Sequence, residues 1–163
     1  MSGPKLRIAD DRLDSEVGAP LVAAQWRDLL ERYGVPDADQ DRVTNPDVVV
    51  AEHLAPPDGI FLVAWLDDVA VACGGVRRHD DTTAEVKRMY VIPDARRQGV
   101  SRVVLTELET RARALGYTRL VLETGTRQPE AIALYESAGY ESITSYGPRS
   151  EASYSRCYAK SLG

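Results

Sequence analysis

The chain has 163 residues, 44% of them hydrophobic, which is enough for one sizeable core, and a net charge of −5 at pH 7. An acidic balance argues against phosphate-backbone binding, so nucleic acid is not an expected partner, and it leans toward a cationic or amine-bearing ligand. The longest apolar run, "IFLVAWL" at 60–66, is far too short to span a bilayer, and the first residues hold no stretch of signal-peptide length. The expectation is a single cytoplasmic domain over 1–163 with no membrane partner. Cys73 and Cys157 fit no CxxC pattern and the only histidines are His53 and His79, so no metal site is expected and both thiols read as small core hydrophobes.

In chain order, "KLRIA" (5–9) predicts a first strand. "LVAAQWRDLLERYG" (21–34) predicts a helix with Leu21, Ala24, Leu29 and Tyr33 near helical spacing and Gly34 ending it. Trp26 and Tyr33 read as core contacts more readily than as substrate contacts. The polar, Pro- and Asp-rich stretch 35–47 predicts a loop, and "PDVVVAEHLA" (46–55) a short helix. From 59 to 93 the chain is β-rich, broken by Asp67-Asp68 and by His79-Asp80-Asp81, which predicts three successive antiparallel strands joined by hairpins. The period then changes. Val100, Val103, Val104, Leu108, Ala112 and Leu115 form one helical face closed by Gly116. A strand at 117–124, a helix at 129–139 opened by Pro129, and two strands in "YESITSY" and "SYSRCYAKSL" complete an α/β (α+β) sheet of mixed direction.

The segment "VIPDARRQGVSRVVL" (91–105) places Arg96, Arg97, Gly99 and Arg102 between a strand and a helix. A helix N-terminus exposes unpaired backbone N–H groups and partial positive charge, so such a turn is an anion site, with Gly99 allowing close approach and the arginines adding charge-assisted bonds. Taken alone, the arginines fit a solvated basic turn equally well. No GxxxxGK[ST] or GxGxxG is present, which removes the P-loop and Rossmann alternatives.

The longer stretch "AEVKRMYVIPDARRQGVSRVVL" (84–105), with "LETGTRQPEAIALYESAGY" (122–140), resembles the Gcn5-related N-acetyltransferases (GNAT), whose cofactor turn reads Arg/Gln-x-x-Gly-x-Gly/Ala. The likeness covers about 60–160. Ser101 replaces the last small residue of that pattern, and Gln128 stands where many members have Asn. The resemblance implies a mostly antiparallel sheet of about six to seven strands flanked by about four helices. It also implies acetyl-CoA as acyl donor, bound by the backbone of Met89, Tyr90 and Val91, by the turn Arg96, Arg97, Gln98, Gly99, Val100, Ser101 and Arg102, and by Gln128 and Tyr135. The Met89 N–H would face the thioester oxygen, and Tyr135 would protonate the departing thiolate.

Glu85 resembles the general base that some members carry on this strand. Strict alternation places Glu85, Lys87 and Met89 on one face and Val86, Arg88 and Tyr90 on the other, with Glu85 about 13 Å from Met89, so it would act through water. A carboxylate paired with Lys87 or a cross-strand arginine is the competing reading of Glu85, and a packing role that of Tyr135. Lys87 and Arg88 read as solvated or ion-paired. The implied activity is acetyl transfer to a small primary amine, with a protein N-terminus or lysine, or a non-catalytic acyl-CoA sensor, as alternatives. A homodimer is compatible with the resemblance. In this fold the acceptor pocket is expected from residues 15–58 and 145–155.

Overall fold

In the computed structural model, which describes residues 3–163, seven strands form one sheet. They are β1 (Leu6–Asp10), β2 (Ile60–Leu66), β3 (Val69–Arg78), β4 (Thr83–Val91), β5 (Arg119–Gly125), β6 (Glu141–Ile143) and β7 (Ser155–Ser161). The spatial order is β1-β2-β3-β4-β5-β7-β6, and every neighbouring pair is antiparallel except β4 and β5. Three α-helices cover the sheet: α1 (Gly18–Arg32), α2 (Val100–Ala114) and α3 (Pro129–Ser137). The predicted helix at 46–55 shrinks to a single 3-10 turn, Ala51–Leu54, and the predicted loop at 35–47 holds another, Asp37–Arg42. Proline and β-branched residues dominate 46–50, and they disfavour a full α-helical turn there.

Each face of the sheet owns one core. Ile60, Leu62 and Ala64 of β2 alternate with Phe61 and Val63, so the first set packs with α2 and α3 while the second packs with Leu21 and Leu54 under α1. Val104, Leu105, Leu108 and Ala112 of α2 are at most 1% exposed. Burying a Val or Leu side chain contributes about 1.5–3 kcal/mol, so this stripe anchors α2 firmly. That anchorage fixes the position of the helix N-terminus, where the arginine-rich turn lies.

Two irregularities shape the centre of the sheet. β4 and β5 pair in register only from Thr83↔Arg119 to Glu85↔Val121. Beyond Glu85 the rest of β4 has no β5 partner, and the two strands part toward the N-termini of α2 and α3. The second irregularity is a bulge in β4. Gly75 pairs with Lys87 and Cys73 with Tyr90, so Gly74 faces two residues, Arg88 and Met89, and Arg88 sits in the left-handed region at φ 60°.

The bulge overturns the expected alternation. Val86, Met89 and Val91 pack on the α2 side and Tyr90 on the α1 side, so Met89 and Glu85 lie on opposite faces. A Cβ on Gly74 would run into Met89 Sδ, Val104 and Leu108, so glycine there is the condition for seating Met89 on α2. Two side chains receive the carbonyls of the bulged residues: the Cys73 thiol donates to Arg88 O at 3.2 Å, and Gln25 Nε2 donates to Met89 O at 3.3 Å.

Candidate active site

The gap between β4 and β5 opens into a cleft of about 1650 Å³. α1, the loop around Asn45–Asp47, the turn 95–102, α3 and the segment 148–154 contribute to its walls. Of the residues expected to hold the donor, Met89, Tyr90, Val91, Arg96, Arg97, Gly99, Val100, Ser101, Arg102, Gln128 and Tyr135 all line it. Gln98 does not. Its side chain is exposed and turns back to Asp94 O at 3.4 Å.

At the turn, Arg97 (φ 64°) and Gly99 (φ 78°) are both left-handed, which folds the backbone into a concave approach to α2. Gly99 is the N-cap, no side chain caps the helix, and the first helical bond runs from Val103 N to Gly99 O. The amides of residues 100–102 therefore have no acceptor among the described residues, and they add to the positive end of the helix dipole. Apart from its chain neighbours, no described residue comes within 4 Å of where a Gly99 Cβ would be, so the space beside it is open to a ligand.

The three arginines differ in what they already hold. Arg96 Nε donates to Val91 O at 2.9 Å and its guanidinium lies over the Tyr90 ring, so it braces the turn against β4. Arg102 donates to Ser137 Oγ and ties α2 to α3. Arg97 is exposed and makes no side-chain bond among the described residues. It is the arginine most available to an anion.

Facing the gap, Tyr135 is 5% exposed and its hydroxyl makes no hydrogen bond among the described residues. Burial raises its pKa well above the usual phenol value, so it stays a neutral donor. Trp26 and Tyr33, expected in the core, line the cleft instead. Tyr33 packs against Tyr154 at a 50° tilt with ring centroids 5.0 Å apart, and its hydroxyl is buried without a partner among the described residues.

Glu85 is placed differently from a free base. It is 4% exposed, takes Arg77 Nε at 2.9 Å and the Tyr146 hydroxyl at 2.8 Å, and does not line the cleft. The cross-strand arginine reading is the one the geometry matches, since Arg77 is the register partner of Glu85. Asp47, 6% exposed, joins the same cluster by pairing with Arg77 at 3.1 Å and with Lys87. Burial and then Arg88 pull the Lys87 ammonium down to about 8, against the opposing charge of Glu123.

Glu123 of β5 is the carboxylate that sequence reasoning missed. It lines the cleft, with Arg149 Nη1 at 3.4 Å and the Ser155 hydroxyl donating at 2.9 Å. Its signal was slight: one acid following the apolar run Leu120-Val121-Leu122, inside the stretch read for its resemblance rather than its charge.

A helix whose bare N-terminus meets a parted pair of parallel strands is the feature that comparison with known proteins can decide. The model of the acetyltransferase (GNAT) family matches residues 22–140. The chain belongs to the GNAT family. Among curated proteins it is 42% identical over 98 residues to an IAA acetyltransferase of Azospirillum brasilense, a match covering 60% of this chain and 64% of that one. The chain thus spans under two thirds of that relative's length.

Among solved structures, a Klebsiella pneumoniae protein provisionally named an acyl-CoA N-acyltransferase superposes with a TM-score of 0.75. It is 28% identical, over 97% of this chain and 98% of that one. The PaiA N-acetyltransferase of Thermoplasma acidophilum, solved with coenzyme A, superposes with a TM-score of 0.72. It is 14% identical, over 96% and 99% of the two chains, which shows the shared GNAT fold.

Proposed function

We propose that this GNAT protein is an acetyl-CoA-dependent N-acetyltransferase that acts on the primary amine of a small molecule by direct transfer in a ternary complex. The observation that carries the reading is the uncapped N-terminus of α2 behind two left-handed residues, set at the mouth of the β4–β5 gap with Tyr135 opposite. The residues fit the donor: the amides of 100–102 with Arg97 and Arg102 suit a diphosphate, and the open edge of β4 at Met89 and Val91 suits an amide-bearing arm laid beside it as a strand.

Acetyl-CoA supplies the acetyl group as a thioester. In the reaction the amine nitrogen bonds to the acetyl carbon and the carbon–sulfur bond breaks. The Met89 N–H donates to the carbonyl oxygen where negative charge grows. Tyr135, kept neutral by burial, gives its proton to the leaving sulfur. Glu123, rather than the enclosed Glu85, takes the proton lost by the amine. Direct transfer is supported by the cysteines: both are buried, and burial pushes the Cys73 thiol up to about 12, far from a reactive thiolate. Free, unpaired cysteines also support a reducing cytoplasmic location.

The test is to incubate the protein with acetyl-CoA and panels of small amines and of peptides, reading acetylated products by mass spectrometry. Acetylated small amines support the reading. Products only among peptides favour the protein-acetyltransferase alternative. Tight acetyl-CoA binding without any product favours a sensor, against which the unengaged Tyr135 hydroxyl argues.

A further inference from the structure

The acceptor side of the cleft holds a cation with no counter-ion. Arg88, half-buried at the bulge, has five N–H donors, and among the described residues its side chain makes one hydrogen bond, from Nη2 to Asp47 O at 2.9 Å. No carboxylate among the described residues lies within ion-pair distance of it. The nearby acids are engaged elsewhere: Asp47 with Arg77 and Lys87, Glu85 with Arg77, Glu123 with Arg149, and Asp14 with Arg12 at 2.9 Å. Arg77, Lys87, Arg88 and Arg149 thus face Asp47, Glu85 and Glu123, one positive charge in excess. Burial lowers the pKa of Arg88, and Arg77 and Arg149 lower it further against the smaller raising effect of Glu85, which leaves a field that an anion would relieve.

The surroundings of this cation are apolar on one side. Arg88, Gln25, Trp26 and Asn45 line both the main cleft and an adjoining depression of about 420 Å³, whose other lining residues are Leu13, Ala19, Val22, Ala23 and Asp14, the last held by Arg12. Ala19, Val22, Ala23 and Trp26 follow helical spacing, so one face of α1 forms that wall. Arg88 is also the chain neighbour of Met89, whose N–H is the proposed donor to the reacting carbonyl. An anion held by Arg88 would keep the rest of its molecule close to the reacting centre.

We propose that the acceptor is an apolar amino acid, with its carboxylate bound by Arg88, its side chain against Trp26 and Val22, and its amine directed at the β4–β5 gap. This rests on the transferase reading and names its substrate class. The carboxylate is unchanged by the reaction, in which the amine gains the acetyl group and loses one proton. The net acidity of the chain, which leans toward a cationic acceptor, does not set the sign at this site, because the surplus acids lie elsewhere on the surface.

The experiment uses phenylalanine, leucine, methionine and tryptophan, each beside its carboxamide, with acetyl-CoA and the full chain. We expect kcat/KM to favour the acid over the amide by on the order of 100-fold for at least one pair, chiefly through KM. Arg88→Gln should collapse that ratio to within about threefold, and Arg88→Lys should restore part of it. A wild type that takes the amides as well as the acids overturns the inference, and so does an Arg88→Gln protein that loses activity on both alike with the ratio unchanged. If none of the eight is acetylated, binding of the N-acetyl acids and N-acetyl amides to the coenzyme A-loaded protein decides, and equal affinities overturn it. Calorimetric titration of acetyl-CoA separates the two readings: a wild type that fails to bind it sinks the transferase reading, whereas a protein that binds it and ignores the carboxylate sinks this inference alone.

Discussion

The two ends of the cleft both carry several cations, yet they are built for different purposes. At the α2 end the donors are backbone amides and the exposed Arg97, none of them bonded to the rest of the described protein. At the other end Arg77, Lys87 and Arg149 are locked onto Asp47, Glu85 and Glu123, leaving Arg88 alone without a carboxylate. Recognition therefore follows from which donors are unengaged and not from how many charges are present. Arg77, Lys87, Asp47 and Glu85 brace β4, whereas Glu123, though paired with Arg149, reaches the cleft.

The sharpest way to break this contrast is at the α2 end. Gly99→Glu places an anion at the bare helix terminus and an L-residue at a φ of 78°, and should weaken acetyl-CoA binding more than ~1000-fold by calorimetry while the fold persists. Retained affinity would show that the amides at this turn are not the anion seat. Next in size is Tyr135→Phe, which should lower kcat about 100-fold and leave acetyl-CoA affinity within about twofold, a split that a packing role would not give.

At the locked end the effect should be on stability. Glu85→Gln leaves Arg77 with Asp47 alone and should cost about 2 kcal/mol in urea unfolding, below the usual value for a wholly buried pair because the Arg77 side chain is 22% exposed. A loss of turnover without loss of stability would return Glu85 to the catalytic role. Gly74→Ala should cost about 1–2 kcal/mol by forcing Met89 from its seat, with a parallel drop in kcat.

The smallest effect concerns Cys73. A thiol at about 12 in the fold and near 9 when unfolded keeps the native state the more protonated between those values, so its contribution to stability is full below pH 9 and falls as pH rises toward 12. Unfolding free energy measured across that range should fall, and iodoacetamide should leave Cys73 unlabelled in native protein at pH 8.

The helices and most strands were legible because their periods are strong. The face of α2 read from Val100 to Ala112 is buried at Val100, Val104, Leu108 and Ala112, although Val103 and Leu115 of the same pattern are exposed. The Asp67-Asp68 hairpin lies where it was expected, with Asp67 at φ 51°. The tight turn into α2 was legible for the same reason, since its features are local. The bulge at Arg88 was not, because an arginine at positive φ runs against local preference and is held there by contacts from distant β3 and α1, Cys73 and Gln25. The enclosure of Glu85 depends on Arg77, Asp47 and Tyr146, which come from three separate stretches of chain. Alternation along one strand carries no trace of such partners, so β4 read alone leaves Glu85 looking free.

The brief pairing of β4 with β5 has a mechanical consequence. Strands β1–β4 and strands β5–β7 are two half-sheets joined along a seam only three residue pairs long, from Thr83↔Arg119 to Glu85↔Val121, with α2 carrying the chain from one half to the other. Such a seam works as the spine of a half-open book, and a molecule lying between the pages stiffens both covers. Amide exchange at the inner edges of β4 and β5 should slow together when the donor is bound, because one occupant would close the break in the sheet.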